Sequence, residues 1–197
     1  MSRGFTLLEL LIVIGILAIL STTMILVINP AEMLKKARDS QRISDLNNLK
    51  SVISLYLTDV SSPNTGASNT IYTHMTSGAS LNGCVSGAST VSSSTARVIT
   101  GSGWIPISFS SITGGSPISS EPIDPNPSTS PKHLYYAYYP WSSSAFELLA
   151  NMESTYYSNG SGTDVESKDG GTNNYLYEVG NYLGTITTST CYGSATP

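Results

Sequence analysis

Residues 5–28 read FTLLELLIVIGILAILSTTMILVI, about 24 positions in which Glu9 is the only charge. As a helix rising about 1.5 Å per residue, such a run is about 36 Å long, enough to cross a bilayer core of about 30 Å. A secretory signal has a longer basic opening, a shorter apolar stretch and a small-residue cleavage site behind it. Here only Met1-Ser2-Arg3-Gly4 precedes the run, and no such site follows. A retained membrane helix is therefore expected. Glu9 fits a simple anchor poorly, because a carboxylate inside an apolar membrane helix costs a few kcal/mol and is a functional suspect by default. The plainer alternative is that Glu9 lies near enough to the interface to reach water.

The rest of the chain is a different material. Charged residues make up 11% of the 197 positions and the formal net charge is −4, which excludes both the basic footprint of a nucleic-acid binder and a highly charged disordered tail. Of the nine cations, Lys35, Lys36, Arg38, Arg42 and Lys50 crowd into one stretch, and beyond Thr58 only Arg97, Lys132 and Lys168 remain. Leu46, Leu49, Ile53, Tyr56, Leu57 and Val60 recur at spacings of three and four, an apolar stripe on an amphipathic helix. The stripe is expected to lie on a sheet, with Asp39, Arg42 and their charged neighbours turned outward. A solvated face is the simplest role for those cations; lipid headgroups or a partner subunit are the alternative. A helix from Phe5 to about Val60 would run roughly 80 Å. Pro30 either kinks it or opens a second helix with Asn29 as its cap, and Gly15 is a second soft point.

Beyond Ser61-Ser62-Pro63-Asn64, residues 61–96 are rich in Ser, Thr, Gly and Asn and read as surface loop. Segments 97–100, 104–109, 134–139, 146–151 and 175–179 are aromatic or β-branched between Gly, Pro and Ser clusters, and so strand-like. Pro106 demotes the second of these to an edge strand or extended loop. The fold class expected is α+β: a long N-terminal helix whose amphipathic half packs on three or four antiparallel strands.

Arg3-Gly4 followed by Phe5-Thr6-Leu7-Leu8-Glu9 and a long apolar helix resembles the class III leader of type IV pilins and type II secretion pseudopilins. The resemblance implies that a prepilin peptidase cuts between Gly4 and Phe5 and methylates the new Phe5 terminus. It also implies the pilin fold, and bends or melting near Pro30 and Gly15 on packing. After such a cut Phe5 carries an ammonium group, and Glu9 stands four residues on, one turn along a helix. In a staggered bundle Glu9 would neutralise the Phe5 ammonium of a neighbouring copy, where a lone charge is costly. The division implied is a leader at 1–4, a membrane and filament-core helix at 5–29, its amphipathic half at 30–60, and a globular head at 61–197. Further on, Ile118-Ser119-Ser120-Glu121-Pro122-Ile123-Asp124-Pro125, then Tyr135-Tyr136-Ala137-Tyr138, then Phe146-Glu147-Leu148 resembles a pseudopilin signature more loosely. The tryptophan-glycine-asparagine that usually follows Asp-Pro there is missing.

Cys84 and Cys191 are the only cysteines. In an exported head they are expected to pair, closing a loop of about 100 residues worth roughly 4–5 kcal/mol in the entropic account; in a reducing compartment they stay as thiols. No cofactor is required. Asp164, Glu166 and Asp169, ahead of Gly170-Gly171, gather oxygen ligands of the kind calcium takes, and some pseudopilins bind calcium in a corresponding late loop. The spacing is not that of an EF-hand, and an acidic exposed turn is the commoner meaning. His74 and His133 are the only histidines, and no zinc-protease, nucleophile-elbow or phosphate-loop pattern occurs, so an enzyme is not expected. The leading expectation is a structural subunit. It is held in the cytoplasmic membrane, handed from prepilin peptidase to an assembly platform, and built into a helical homo-oligomeric filament on the cell surface. A secretion pseudopilin in a periplasmic filament, and a minor tip pilin for adhesion or DNA uptake, are the alternatives. Few cations on the head argue against nucleic acid.

Overall fold

The computed structural model describes residues 4–75, 90–128 and 132–184. The chain divides into two compact units, residues 1–35 and 36–197.

The first unit is dominated by α1 (Leu7–Ile28). Its apolar residues face every direction, and no residue of Leu7–Met24 is buried. Where hydroxyls interrupt the run, the helix satisfies them itself. Ser21 Oγ donates to the Leu17 carbonyl at 2.7 Å, Thr22 Oγ1 to that of Ile19 at 2.8 Å, and Thr23 Oγ1 to that of Leu20 at 2.9 Å. Such self-contained bonding is what an apolar surrounding demands of a polar group. The helix is continuous through Gly15. It stops at Asn29, whose backbone is left-handed (φ 43°, ψ 74°). Pro30 then opens α2 (Pro30–Asp59). The Glu32 amide donates to the Asn29 carbonyl at 3.1 Å, and the Asn29 side-chain Oδ1 lies 3.4 Å from the same amide. Of the two readings of Pro30, the second holds: proline sits at a first helical position, where its missing N–H costs nothing. The expected single helix is two.

In the second unit the rest of α2 lies on a five-stranded mixed sheet in the order β2-β1-β3-β4-β5. The strands are β1 (Thr70–Thr73), β2 (Thr90–Ser93), β3 (Ala137–Pro140), β4 (Phe146–Ala150) and β5 (Tyr177–Gly180). Only β1 and β2 are parallel; the other neighbours are antiparallel. The architecture is α+β, as expected, and consistent with a pilin fold, but with five strands and one parallel pair in place of three or four antiparallel strands. Leu46, Leu49, Ile53 and Tyr56 are buried, joined by Val52, against Tyr136, Tyr138, Phe146, Leu148 and Val179. Ile71, Tyr135, Ala137, Tyr139 and Leu149 form a second cluster. β4 is buried at every position, so its sequence shows no in–out alternation.

Two further expectations fail. Residues 61–96 are not simply surface loop: β1 and β2 lie within them, and Ile71 and Thr73 are fully buried. Segments 97–100 and 104–109 meet in a single bridge, Thr100 with Ser108, and form no strand among the described residues. Pro106 has no N–H to give a ladder, and Phe109 already begins a one-turn 3-10 helix at Phe109–Ser111. Their apolar residues serve as filling instead, with Trp104, Ile105, Ile107 and Phe109 buried beside α2's stripe.

Candidate functional site

Gly4, Phe5 and Thr6 lie outside the helix, and Phe5 is 82% exposed. Thr6 is the N-cap of α1, with extended backbone (φ −81°, ψ 150°). Its hydroxyl accepts from the Glu9 amide at 3.2 Å and donates to Glu9 Oε2 at 3.0 Å, and its own amide donates to the same Oε2 at 3.2 Å. This reciprocal capping box satisfies two amides that a helix start leaves open, and places a carboxylate at the positive end of the helix dipole. The bond between Gly4 and Phe5 thus precedes the cap in open backbone, with nothing within 4 Å of the Cβ position of Gly4. This is the geometry of the uncut chain, in which Phe5 is not yet a terminus. Phe5 stands before the cap, so it does not share a helical face with Glu9; Glu9's partner in this chain is Thr6.

Two charged residues of α2 do something different from the solvated face expected of them. Asp39 and Arg42 have no exposed surface. Arg42 grips Asp124 through Nε and Nη2, both at 2.7 Å, and gives Nη1 to Asp39 at 2.7 Å. Asp39 also accepts the amides of Glu153 and Ser154 at 2.8 and 2.7 Å. Arg38 holds Glu153 with two bonds of 2.7 and 2.6 Å. Burial works against the Arg42 charge, but Asp124 and Asp39 outweigh it and raise its pKa further. Burial likewise opposes ionisation of Glu153, while Arg38 and Arg42 hold its carboxyl below its ordinary value. The three-residue spacing of Asp39 and Arg42 is visible in sequence, but the partner, 82 residues on, is not. Asp124, part of the loop that resembles a pseudopilin signature, ties that loop to α2.

His74 completes the same junction. Its Nε2 accepts the amides of Asp124 and Tyr136, each at 3.3 Å, and burial pushes its pKa down to about 4. A neutral imidazole used as an acceptor by two backbone amides is a structural pin. His133 lies edge-on to Tyr135 at 6.2 Å.

Asp164, Glu166 and Asp169 each bind backbone amides. Asp164 accepts from Gly160 and Ser167, both at 3.0 Å, Glu166 from Met152 and Asn159, both at 2.9 Å, and Asp169 from Gly171 at 2.8 Å and Glu178 at 2.5 Å. Burial pushes Glu166 up to about 7. No group of three Asp, Glu, His or Cys side chains placed to hold a metal ion occurs among the described residues. Cys84 and Cys191 both lie outside the described residues.

The prokaryotic N-terminal methylation motif matches at residues 1–25. It is the class III signal of type IV pilins and pseudopilins, and it implies processing by a prepilin peptidase. The matched residues contain the open Gly4–Phe5 bond, the Thr6–Glu9 cap and most of α1, the helix whose Leu7–Met24 segment (mean hydropathy 2.4) is long and apolar enough to cross a membrane. The N-terminus is therefore that of a pilin- or pseudopilin-like precursor, and proteins carrying this motif are structural and not enzymatic. No curated protein and no solved structure matches the chain.

Proposed function

We propose that this chain is the precursor of a structural subunit of a type IV pilus-like filament. It waits in the cytoplasmic membrane through α1, is cut between Gly4 and Phe5, is methylated on Phe5, and is assembled by packing α1 against α1 of other copies. The observation that carries this is the pairing of the methylation motif with a helix apolar on all sides and buried on none. Inside a bilayer that surface is solvated by lipid; outside one, only equivalent helices can cover it. Glu9, capped only by its own helix start, is then the charge available to a Phe5 ammonium on a neighbouring copy.

A secretion pseudopilin is the second reading, favoured by the loop around Pro122 and Asp124 and the tyrosine-rich segment that follows it. Intact mass and N-terminal sequencing of protein from sheared surface material and from membranes test both. Methylated Phe5 in sheared fibres is the result expected of a surface filament. Processed protein confined to membranes favours the secretion reading, and an uncut Met1 everywhere refutes both.

A further inference from the structure

Trp141 and Tyr182 stand out on a head whose other large aromatics are mostly interior. Each is 43% exposed, and their rings stack at 5.5 Å between centroids with planes 14° apart. Trp141 opens the turn between β3 and β4; Tyr182 lies just past β5, the neighbour of β4. The turn is rigidly made. The Trp141 amide donates to the Ala145 carbonyl at 2.9 Å, and Ser142 Oγ accepts the Ala145 amide at 3.1 Å. Asn181 clamps the two segments together, accepting the Phe146 amide at 2.8 Å and donating to the Ser144 carbonyl at 2.6 Å. Behind Trp141, buried Tyr139 lies 6.2 Å away. The pair is therefore held in place before any ligand arrives, so little side-chain freedom remains to be lost on binding.

What surrounds the pair selects its ligand. Residues 140–146 and 179–184 contain no charge, and serines 142–144 form the turn that follows Trp141. The head's carboxylates are turned inward: six of those beyond residue 60 are buried. Of its three cations beyond that point, Arg97 is bound to the Glu121 carbonyl and Lys132 to that of Met152. A phosphate backbone needs cations, and the two segments that carry the rings contain none; the third, Lys168, is exposed but belongs to neither segment. A half-exposed aromatic stack on uncharged segments, with a serine turn next to it in the chain, suits a ligand that is itself uncharged, apolar on one face and hydroxylated at its edge. The pyranose rings of a neutral glycan have that form. We propose that the Trp141–Tyr182 stack is a docking platform for a neutral polysaccharide, with a sugar ring laid on the aromatic surface and its hydroxyls meeting the serine turn.

The chain supplies its own reporter. It has two tryptophans, and Trp104 is buried while Trp141 is exposed. Full-length protein in a detergent without sugar headgroups is titrated with cellohexaose, maltohexaose and chitohexaose, and with a polygalacturonate hexamer as the anionic control. Acrylamide quenching reads Trp141, and calorimetry reads affinity. At least one neutral oligosaccharide is expected to bind saturably up to millimolar concentration and shield Trp141, with the anionic hexamer weaker. Trp141→Ala and Tyr182→Ala are each expected to weaken binding about tenfold or more, the scale of one lost stacking contact, with an unchanged unfolding midpoint as the control. Failure of all three neutral sugars, equal binding of the anionic one, or full affinity in both variants would overturn the proposal. So would shielding of Trp141 that grows with protein concentration alone, which would make the platform a contact between copies. None of these outcomes depends on cleavage at Gly4, so the platform and the filament reading fail separately.

Discussion

Helix α1 carries one carboxylate, Glu9, bonded to the residue that caps its own helix and otherwise open to its surroundings. Helix α2 carries Asp39 and Arg42, both fully buried and tied to loops more than 80 residues away in sequence. The two helices follow one another with only Asn29 between them. In α2 the chain supplies partners for both buried groups, Asp39 and Asp124 for Arg42, and Arg42 and two backbone amides for Asp39, so the charges act as internal fasteners. In α1 the described residues supply none, and the apolar surface around Glu9 is likewise left uncovered. Helix α2 thus uses its charges to hold the fold together, while α1 carries the charge and the apolar surface that the proposed assembly would use.

The comparison is most easily broken at Arg42. Replacing it by Ala leaves Asp39 and Asp124 buried without their cation, an arrangement that costs about 3–5 kcal/mol when one partner of a buried pair is removed. Denaturant unfolding followed through buried Trp104 should show that loss; a change below about 1 kcal/mol would mean that the network is solvated after all.

A second test uses pH. Burial pushes Glu121 and Glu166 each up to about 7, and Glu178, buried beside Glu147, is raised as well. Between the ordinary carboxylate range and about pH 7 the folded head binds more protons than the unfolded chain. Stability contributed by these groups is therefore full below that range and is lost as pH rises through the folded values. Glu153, Asp164 and the buried neutral His74 run the other way: their stabilisation is present at neutral pH and is lost as pH falls through their depressed pKa values, but the three raised glutamates outnumber His74 in the mildly acid range. The unfolding midpoint should be highest in mildly acid solution and lower at pH 8, and Glu121→Gln should flatten the decline. A midpoint that climbs steadily from pH 5 to pH 8 would contradict this assignment.

The smallest effect is expected at the N-terminal cap. Thr6→Ala should loosen the first turn of α1 by about 1 kcal/mol, seen as faster amide exchange at residues 7–9, with no change in the head's unfolding midpoint. A shift in that midpoint would show that the two units are not energetically separate.

How much of this the sequence discloses follows from how local each signal is. The membrane-length helix needs only composition, and the stripe from Leu46 to Tyr56 only periodicity; both are legible, as is the cleavage motif before them. β1 is four residues, Thr-Ile-Tyr-Thr, set in a polar stretch, and its strand character comes from pairing with β3 more than 60 residues later. Residues 104–109 show the reverse, with strand-like composition spent on filling the core because Pro106 interrupts pairing. The Arg42 fastener is the least legible. An Asp and an Arg three apart on a helix usually mean a surface pair, and only the arrival of Asp124 and the amides of residues 153 and 154 turns that pair inward. At the N-terminus the motif identifies Glu9 as special, while its bonding to Thr6 depends on the helix starting at Leu7 and not at Phe5.

The central claim is that Glu9 is a charge kept for another copy of the chain, and Glu9→Gln tests it most directly. Glutamine retains an oxygen to accept the Thr6 amide, so the cap survives while the charge is removed. Filament yield would be measured in cells alongside membrane insertion and cleavage at Gly4. Full insertion and cleavage with filament yield falling at least tenfold is the result predicted. Normal filament yield from Glu9→Gln would contradict the claim and leave Glu9 as no more than the cap of its own helix.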